Sequence, residues 1–312
     1  MKVGLANLID EKSVAHVEES RAFYAGKQAA GGQHRPTSFE ELKDARAHLP
    51  GRPAGSRAIE RIARAGERQV PVRVTSPSSG DSRGTYLDIH AGGFYMDSAT
   101  RGDGRNARLA DALQVTVVSV EYRLAPEAPW PAAPEDCETA ALWLVQEGGE
   151  TDGMEPMVIG GSSAGATLAM TTLLRLRDKG LVHPIAGAVL QFGAYDLSGQ
   201  SPGGRLYADE WFIQAYAGHV RDRTDPDVSP LYGDLGGLPP TLLLVGTLDV
   251  LLEDNLAMAA RLSAAGNDVD LRVYPESMHG FTSHPTPIAK VAADAADTWL
   301  AARLDAHFAQ SG

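Results

Sequence analysis

The chain has 312 residues, of which 43% are hydrophobic and 22% are charged, so it can bury the core of a globular protein. Its formal net charge of −12, with no basic stripe, argues against a nucleic acid partner, and its one cysteine, Cys137, excludes an internal disulfide and a thiolate metal cluster. No apolar run approaches the length of a membrane span, and the N-terminal residues lack the pattern of a secretory signal, so we expect a cytoplasmic protein.

Residues 1 to about 55 predict helices and no strand. Within them, residues 38–41 (Ser-Phe-Glu-Glu) have the pattern of a helix start, because the serine can cap the helix. This polar segment does not fit the alternation of strands and helices that follows it.

From about residue 68, runs typical of strands alternate with runs typical of helices. The predicted strands are 69–75, 84–90, 115–121, 157–160, 187–192, 241–246 and 269–274. The predicted helices between the later strands are 105–113, 134–147, 165–179, 253–265 and 287–308. Near-continuous apolar strands indicate a mainly parallel sheet that is covered by helices. The first two strands, joined by a turn rich in proline, serine and glycine, are expected to form an antiparallel hairpin at the sheet edge.

Residues 197–235 interrupt this alternation. Glycine and proline residues surround one amphipathic helix, predicted at 207–216, which carries Trp211, Phe212 and Tyr216. These aromatic side chains either dock the insertion on the core or line a pocket, and the two roles are compatible.

The motif at residues 161–165, Gly-Ser-Ser-Ala-Gly, places Ser163 between two glycines where a strand turns into a helix. Such an abrupt turn strains the backbone at its apex, and the glycines remove the Cβ atoms that would clash there. Ser163 is then exposed at the carboxyl end of the sheet with a helix N-terminus behind it, which favours negative charge. The pattern predicts a nucleophile; the alternative is an ordinary glycine-rich turn.

A serine nucleophile needs a base, and histidine suits this role because its ordinary pKa lies near neutrality. His279 is the candidate base, because it follows the last predicted strand in a loop at the same sheet edge as Ser163. Asp249, just past the preceding strand, is the candidate acid that orients the imidazole. Asp196 is the alternative acid, and Asp249 could instead cap the helix that follows it. The chain order of serine, acid and histidine is that of α/β-hydrolases.

Attack on an ester also forms an oxyanion, which needs N–H donors that are already in place. Residues 90–93 (His-Ala-Gly-Gly) follow a predicted strand and supply small residues whose amides can approach a substrate closely. The amide of Ala164, directly after the candidate nucleophile, is a further donor at the start of a helix.

Four motifs together resemble the bacterial hormone-sensitive-lipase family of α/β-hydrolase esterases. They are His90-Ala91-Gly92-Gly93-Phe94, residues 121–127 (Glu-Tyr-Arg-Leu-Ala-Pro-Glu), residues 161–165 and His279-Gly280-Phe281. The resemblance covers about residues 70 to 285 and implies an α/β-hydrolase fold, with a mostly parallel eight-stranded sheet flanked by helices and a helical cap. It also implies that Gly92, Gly93 and Ala164 donate to the oxyanion, and that Tyr122 and Arg123 are structural supports near that loop.

The family pattern also suggests how the chain divides. Residues 1–55 would form an N-terminal cap segment, residues 197–235 a cap insertion, and residues 56–196 and 236–312 the α/β-hydrolase catalytic domain. The candidate residues for contact with substrate are Phe94, Tyr195, Trp211 and Phe212.

The sequence departs from the family pattern at two positions. Ala91 stands where a glycine is usual, and its methyl group would narrow the acyl entrance. Ser162 stands where aspartate or threonine is common, which leaves open the subgroup and whether the protein forms a homodimer.

The resemblance implies a carboxylic ester hydrolase that acts on short-to-medium acyl esters through an acyl-enzyme. A small-molecule ester is the expected partner, no cofactor is expected, and the lack of a His-x-x-x-His pair disfavours a metal site. The same motifs fit an amidase, a lactonase or a natural-product deacetylase. A non-catalytic small-molecule receptor is the third alternative, although such receptors lack the histidine that His279 provides.

Overall fold

Eight strands in the described part of the chain form one sheet. The structure is a computed structural model, and it describes residues 8–9, 11–29, 35–49, 51, 54–147 and 156–311. The strands are β1 (Ile59–Ala65), β2 (Arg68–Thr75), β3 (Thr85–Ile89), β4 (Thr116–Val120), β5 (Met157–Ser162), β6 (Ile185–Gln191), β7 (Thr241–Gly246) and β8 (Val269–Tyr274). Every residue of β3, β4 and β7 is buried, as the continuous apolar runs predict for central strands.

The strand order is β1-β2-β4-β3-β5-β6-β7-β8. β2 is antiparallel to both of its neighbours, β1 and β4, and all the other pairs are parallel. The mostly parallel eight-stranded sheet of an α/β-hydrolase fold is therefore confirmed. Because the strands from β3 to β8 run in one direction, their carboxyl ends meet at a single edge.

The predicted hairpin between residues 69–75 and 84–90 is wrong. β2 instead pairs with β1 across a two-residue turn and with β4 on its other side, while β3 lies between β4 and β5. The sequence did not indicate β1 because this edge strand buries only two alanines and so lacks a regular apolar pattern. β2 prefers β4 because valines of the two strands face each other, and β-branched pairs of this kind stabilise a sheet.

Helices cover both faces of the sheet. In the described part of the chain they are α1 (Glu11–Val14), α2 (Val17–Ala29), α3 (Phe39–Ala47), α4 (Asp103–Leu113), α5 (Ala132–Glu147), α6 (Ala164–Asp178), α7 (Trp211–Ala217), α8 (Leu252–Ala264) and α9 (Pro287–Ser311). α5, α6 and α8 share one apolar core with the sheet, whereas α4 and α9 share the other. Successive residues of a strand enter opposite cores: Leu243 belongs to the first, and Leu242 and Leu244 belong to the second. None of these helices combines the length and the apolar character that crossing a membrane requires.

Two helices of the N-terminal segment are attached to different loops. The Tyr24 hydroxyl of α2 bonds Nδ1 of His284, between β8 and α9, at 2.9 Å. Arg46 of α3 instead donates to the backbone carbonyls of Tyr95 and Ala125. The proposed division of the chain into cap and catalytic domain stays a prediction, but these bonds tie the N-terminal segment to loops at the sheet's carboxyl edge.

The insertion at 197–235 contains α7, which begins at Trp211, later than the sequence predicts. Its buried Tyr216 stacks on Phe94, with 4.0 Å between the ring centroids. Because Phe94 lies in the loop after β3, this stack anchors the insertion beside the candidate oxyanion residues.

Candidate active site

Ser163 lies at the turn between β5 and α6, as the glycine-serine motif predicts. Its φ of 54° and ψ of −122° are unusual for a residue with a side chain, so the backbone there is strained. A Cβ atom at Gly165 would overlap the carbonyl oxygens of Ile89 and His90, at the end of β3. The motif glycine is therefore required by close packing of the turn against the neighbouring strand.

The structure brings the three predicted residues Ser163, His279 and Asp249 together. Ser163 Oγ lies 2.9 Å from His279 Nε2, and His279 Nδ1 lies 3.0 Å from each carboxylate oxygen of Asp249. An ionised carboxylate only accepts hydrogen bonds, so Nδ1 carries the proton and Nε2 is free to accept the serine proton. The Asp249 side chain is fully buried, and its Oδ1 also accepts a hydrogen bond from the Leu251 amide at 2.9 Å.

The loops that carry Asp249 and His279 are joined by backbone hydrogen bonds. Thr247 donates to the Tyr274 carbonyl at 2.9 Å, and Leu248 donates to the Ser277 carbonyl at 3.0 Å. The ring of Phe192 packs edge-on against His279, with 5.1 Å between the centroids. These contacts fix the position of the imidazole, and they join residues far apart in the chain, so no local sequence signal could have identified them.

Gly92 and Gly93, in the loop after β3, line the same cavity as Ser163. Gly92 has a φ of 120° and Gly93 a φ of 60°, and a Cβ atom at Gly92 would overlap the Met96 carbonyl oxygen. In the described part of the chain, the amides of Gly92, Gly93 and Ala164 donate to no other residue. Three N–H groups are therefore available to an oxyanion, one of them at the N-terminus of α6.

Other residues of the motifs contact this loop or lie close to it. His90 stacks on Tyr122 with 4.1 Å between ring centroids, and its Nδ1 donates to the Ala91 carbonyl at 2.6 Å. Burial lowers the pKa of His90, which favours the neutral ring. Arg123 forms an ion pair with Asp136 of α5 at 2.9 Å. These contacts suit the supporting role that the resemblance implies for residues 122 and 123.

A cavity of about 670 Å³ opens above Ser163. Gly92, Gly93, Ala164 and His279 line it, as do two of the four candidate substrate-contacting residues, Phe94 and Phe212. The other two do not reach it. Tyr195 is fully buried beneath the insertion, and Trp211 packs edge-on against Tyr95, with 5.7 Å between the ring centroids.

Several other residues that line the cavity were not identified from the sequence, among them Arg35, Leu49, Tyr207, Val250 and Leu251. Val250 and Leu251 directly follow Asp249 and could have been found from that position.

The alternative acid, Asp196, is engaged elsewhere. Its Oδ1 accepts from the Ser198 amide at 2.9 Å, and its Oδ2 accepts from the Ser201 amide at 2.7 Å. Burial opposes ionisation of this carboxyl, but the hydrogen bonds from the two serines outweigh it and lower its pKa. Asp196 therefore shapes the start of the insertion, while Asp249 is the acid in contact with His279.

Metal ligands are not grouped in the described part of the chain: no set of three or more His, Cys, Asp or Glu side chains there is placed to hold an ion. Cys137 is buried in α5, and burial raises the pKa of its thiol well above the ordinary value. The thiol is thus a packed side chain of the core.

Comparisons with known proteins agree with this architecture. The sequence pattern of the alpha/beta hydrolase fold matches residues 86–283. The chain is 32% identical to the carboxylic ester hydrolase LipN of Mycobacterium tuberculosis over 68% of this chain, although the match spans only 61% of LipN. It is 30% identical to LipR of the same organism over 83% of both chains. A crystal structure of a hormone-sensitive lipase from a metagenome library shares 26% identity, with a TM-score of 0.73 over 92% of this chain and 97% of that chain. The chain therefore belongs to the α/β-hydrolase family, in its bacterial branch related to hormone-sensitive lipase.

Proposed function

We propose that the protein is a carboxylic ester hydrolase that works through an acyl-enzyme on Ser163. The observation that carries this proposal is the continuous chain of hydrogen bonds from Ser163 through His279 to Asp249, at the floor of a cavity with three free amide donors. The name of the relative LipN, a carboxylic ester hydrolase, supports the same reaction class.

In the first step, Ser163 Oγ attacks the ester carbonyl carbon while His279 Nε2 takes the hydroxyl proton. The carbonyl π electrons move to the oxygen, and the amides of Gly92, Gly93 and Ala164 stabilise the resulting oxyanion. Asp249 stabilises the imidazolium and keeps the ring in the tautomer that accepts the proton. The oxyanion then collapses, the bond to the alcohol oxygen breaks, and His279 gives its proton to the departing alcohol.

In the second step, water attacks the acyl-enzyme and His279 again serves as base. The second tetrahedral intermediate collapses to release the carboxylic acid, and the proton returns from His279 to Ser163 Oγ. This cycle needs the three side chains and the amide donors in the positions described above.

We propose esters with acyl groups of short to medium length as the substrates. The cavity volume of about 670 Å³ is of the size that accommodates a small molecule, and Phe94 and Phe212 provide apolar wall beside the oxyanion loop. Amides, lactones and acetylated natural products would use the same triad. The test of the proposal therefore compares the rates on esters with the rates on amides and lactones.

The experiment is a series of 4-nitrophenyl esters from acetate to palmitate, assayed beside matched amides and lactones. We expect the highest kcat/KM on esters of short or medium acyl length, together with covalent labelling by a fluorophosphonate that maps to Ser163. Labelling of another serine, or faster turnover of the amides or lactones than of every ester, would contradict the proposal.

A further inference from the structure

Four arginines line the cavity, and three of them are paired with carboxylates. Arg101 pairs with Asp97 at 3.3 Å, Arg108 pairs with Asp297 at 2.5 Å, and Arg105 pairs with Asp88. The fourth, Arg35, has no carboxylate within ion-pair distance in the part of the chain that the structure describes. It is therefore the one lining cation, among the described residues, whose charge is not neutralised by the protein.

Arg35 lies close to the residues of the proposed chemistry. Its guanidinium lies over the ring of Phe212, with 5.9 Å from Cζ to the ring centroid. Phe212 in turn lies beside the oxyanion loop, since a Cβ atom at Gly93 would be 3.3 Å from Phe212 Cδ2. The cation is therefore separated from the oxyanion loop by a single aromatic ring.

The positive charge of Arg35 acts on a neighbouring residue of the cavity wall, Tyr95. Burial raises the pKa of Tyr95, a lining residue, whereas the positive charge of Arg35 opposes that rise. Glu210 acts on Tyr95 in the other direction, but it lies too far from Arg35 to form an ion pair. Arg35 therefore offers this wall an exposed guanidinium that lies over an aromatic ring and has no carboxylate partner among the described residues.

We propose that Arg35 is a specificity residue that selects esters carrying a carboxylate away from the scissile bond. The planar guanidinium offers parallel N–H donors that match a carboxylate, and its contact with Phe212 limits the rotamer freedom lost on binding. This inference rests on the proposed ester hydrolysis and adds a substrate class to it. The carboxylate can belong to the acyl chain or to the alcohol, and the experiment has an arm for each.

The acyl arm compares the 4-nitrophenyl monoester of adipic acid with 4-nitrophenyl hexanoate. The alcohol arm compares 4-carboxyphenyl butyrate with 4-carbamoylphenyl butyrate, in which a neutral amide replaces the carboxylate. In each arm the measured quantity is the ratio of kcat/KM for the anionic ester to that for its neutral partner. Taking this ratio removes any general change in activity.

We expect Arg35→Gln to lower this ratio by roughly two- to fivefold in at least one arm, the range for a solvent-exposed ion pair. Arg35→Lys should recover part of the loss because it keeps the charge, and high salt should lower the ratio of the parent protein. The matched control is Arg221→Gln, which removes an exposed arginine of the insertion that does not line the cavity.

The proposal is overturned if Arg35→Gln leaves the ratio unchanged in both arms, or if Arg221→Gln lowers it equally. If the proposed ester hydrolysis itself is wrong, the result is different: the parent protein does not hydrolyse the neutral esters, or Ser163→Ala hydrolyses them equally fast. Hydrolysis of the neutral esters with an unchanged ratio would leave the reaction class intact and remove only the charge selection.

Discussion

At the scale of single residues, the proposed reaction depends on a strained serine and on a candidate base held by a buried acid. We expect Ser163→Ala and His279→Ala each to lower kcat on 4-nitrophenyl butyrate by about 10⁴-fold or more, because the members of a triad act as a unit. The far-UV circular dichroism spectrum should stay unchanged, since both side chains border a cavity. Ser263→Ala, at an exposed position near the end of α8, is the control. Substantial turnover by the Ser163 variant would remove this serine from the mechanism.

Replacing each candidate acid by asparagine should change kcat to different extents. In Asp249→Asn, the amide can donate to His279 Nδ1, which forces the proton onto Nε2 and prevents it from accepting the serine proton. We therefore expect kcat to fall by about 10⁴-fold, as in other triads. Asp196→Asn should leave kcat within a few-fold of the parent, because its partners are Ser198 and Ser201. A larger loss of kcat in Asp196→Asn than in Asp249→Asn would mean that the acid is wrongly assigned.

The neighbouring aromatics Phe212 and Trp211 provide a matched pair for testing the acyl pocket. Phe212 lines the cavity, whereas Trp211 packs on Tyr95 outside it. Phe212→Ala should enlarge the pocket and shift the preferred ester length upward, because each additional buried methylene stabilises binding by about 0.8 kcal/mol. Trp211→Ala should leave the length profile closer to that of the parent. The measurement is kcat/KM across the 4-nitrophenyl ester series; a shift confined to Trp211→Ala would contradict this placement of the acyl wall.

At the scale of elements, one side chain of α3 is bonded to the loop after β3, which carries the candidate oxyanion donors Gly92 and Gly93. Arg46 donates from Nε and Nη2 to the Tyr95 carbonyl at 2.9 and 2.7 Å, and from Nη2 to the Ala125 carbonyl at 2.7 Å. The same guanidinium pairs with Glu127 at 2.6 Å. One helix of the N-terminal segment thus joins the loop after β3 to the turn that precedes α5.

We expect Arg46→Ala to destabilise the protein by about 1–3 kcal/mol, because partly buried carbonyls lose their donor. It should also lower kcat more than it raises KM, since the oxyanion donors act mainly on the transition state. Arg46→Lys should recover only part of the loss, because an ammonium group cannot span the same acceptors. Urea unfolding and kinetics on 4-nitrophenyl butyrate measure both effects.

The control for this test is Lys43→Ala, which removes an exposed cation from the same helix, 3.9 Å from Glu40. If Lys43→Ala and Arg46→Ala have equal effects on stability and kcat, only the positive charge of α3 matters, and the hydrogen bonds of Arg46 do not. If neither variant changes kcat, the helix does not position the loop.

At the scale of the whole molecule, one buried carboxyl couples stability to pH. Asp254 of α8 accepts from the Tyr207 hydroxyl at 2.7 Å and from the Asp196 amide at 3.3 Å, which attaches the insertion to the core. Its Oδ1 is buried and has no hydrogen-bond partner among the described residues, and burial raises the pKa of this carboxyl from 3.8 to about 6. The folded protein therefore holds a proton on Asp254 at pH values where the unfolded chain has lost it.

Because the folded-state pKa is the higher one, the stabilisation from this group is complete below about pH 4 and is lost as the pH rises through about 6. Asp254→Asn removes this dependence while its amide oxygen still accepts hydrogen bonds. The free energy of unfolding of Asp254→Asn relative to the parent should therefore rise between pH 4.5 and pH 7.5, by about 2 kcal/mol. Urea titrations at both pH values measure it, with the exposed Glu67→Gln as control. A difference that is constant with pH would show that Asp254 does not titrate in this range.

Much of the fold was predictable because its signals are local. Continuous apolar runs located most of the central strands, and the glycines at 161 and 165 indicated the turn that carries Ser163. Because Ser163, Asp249 and His279 each follow a predicted strand, the sequence alone predicted that all three lie at one edge of the sheet. By contrast, β1 and the pairing of β2 were missed, because an edge strand has a weak pattern and strand pairing is decided by competition among distant segments.

The sequence by itself determined the fold family, the reaction class it implies and the three residues proposed for the chemistry, since each follows from residue types at fixed positions around a turn or a strand end. Only the tertiary structure decided which aromatic side chain faces the cavity. It also decided that, among the described residues, one oxygen of the buried Asp254 has no hydrogen-bond partner and the cavity-lining Arg35 has no carboxylate partner. These properties depend on packing between segments far apart in the chain, where burial and charge balance are set by neighbours that no local pattern specifies.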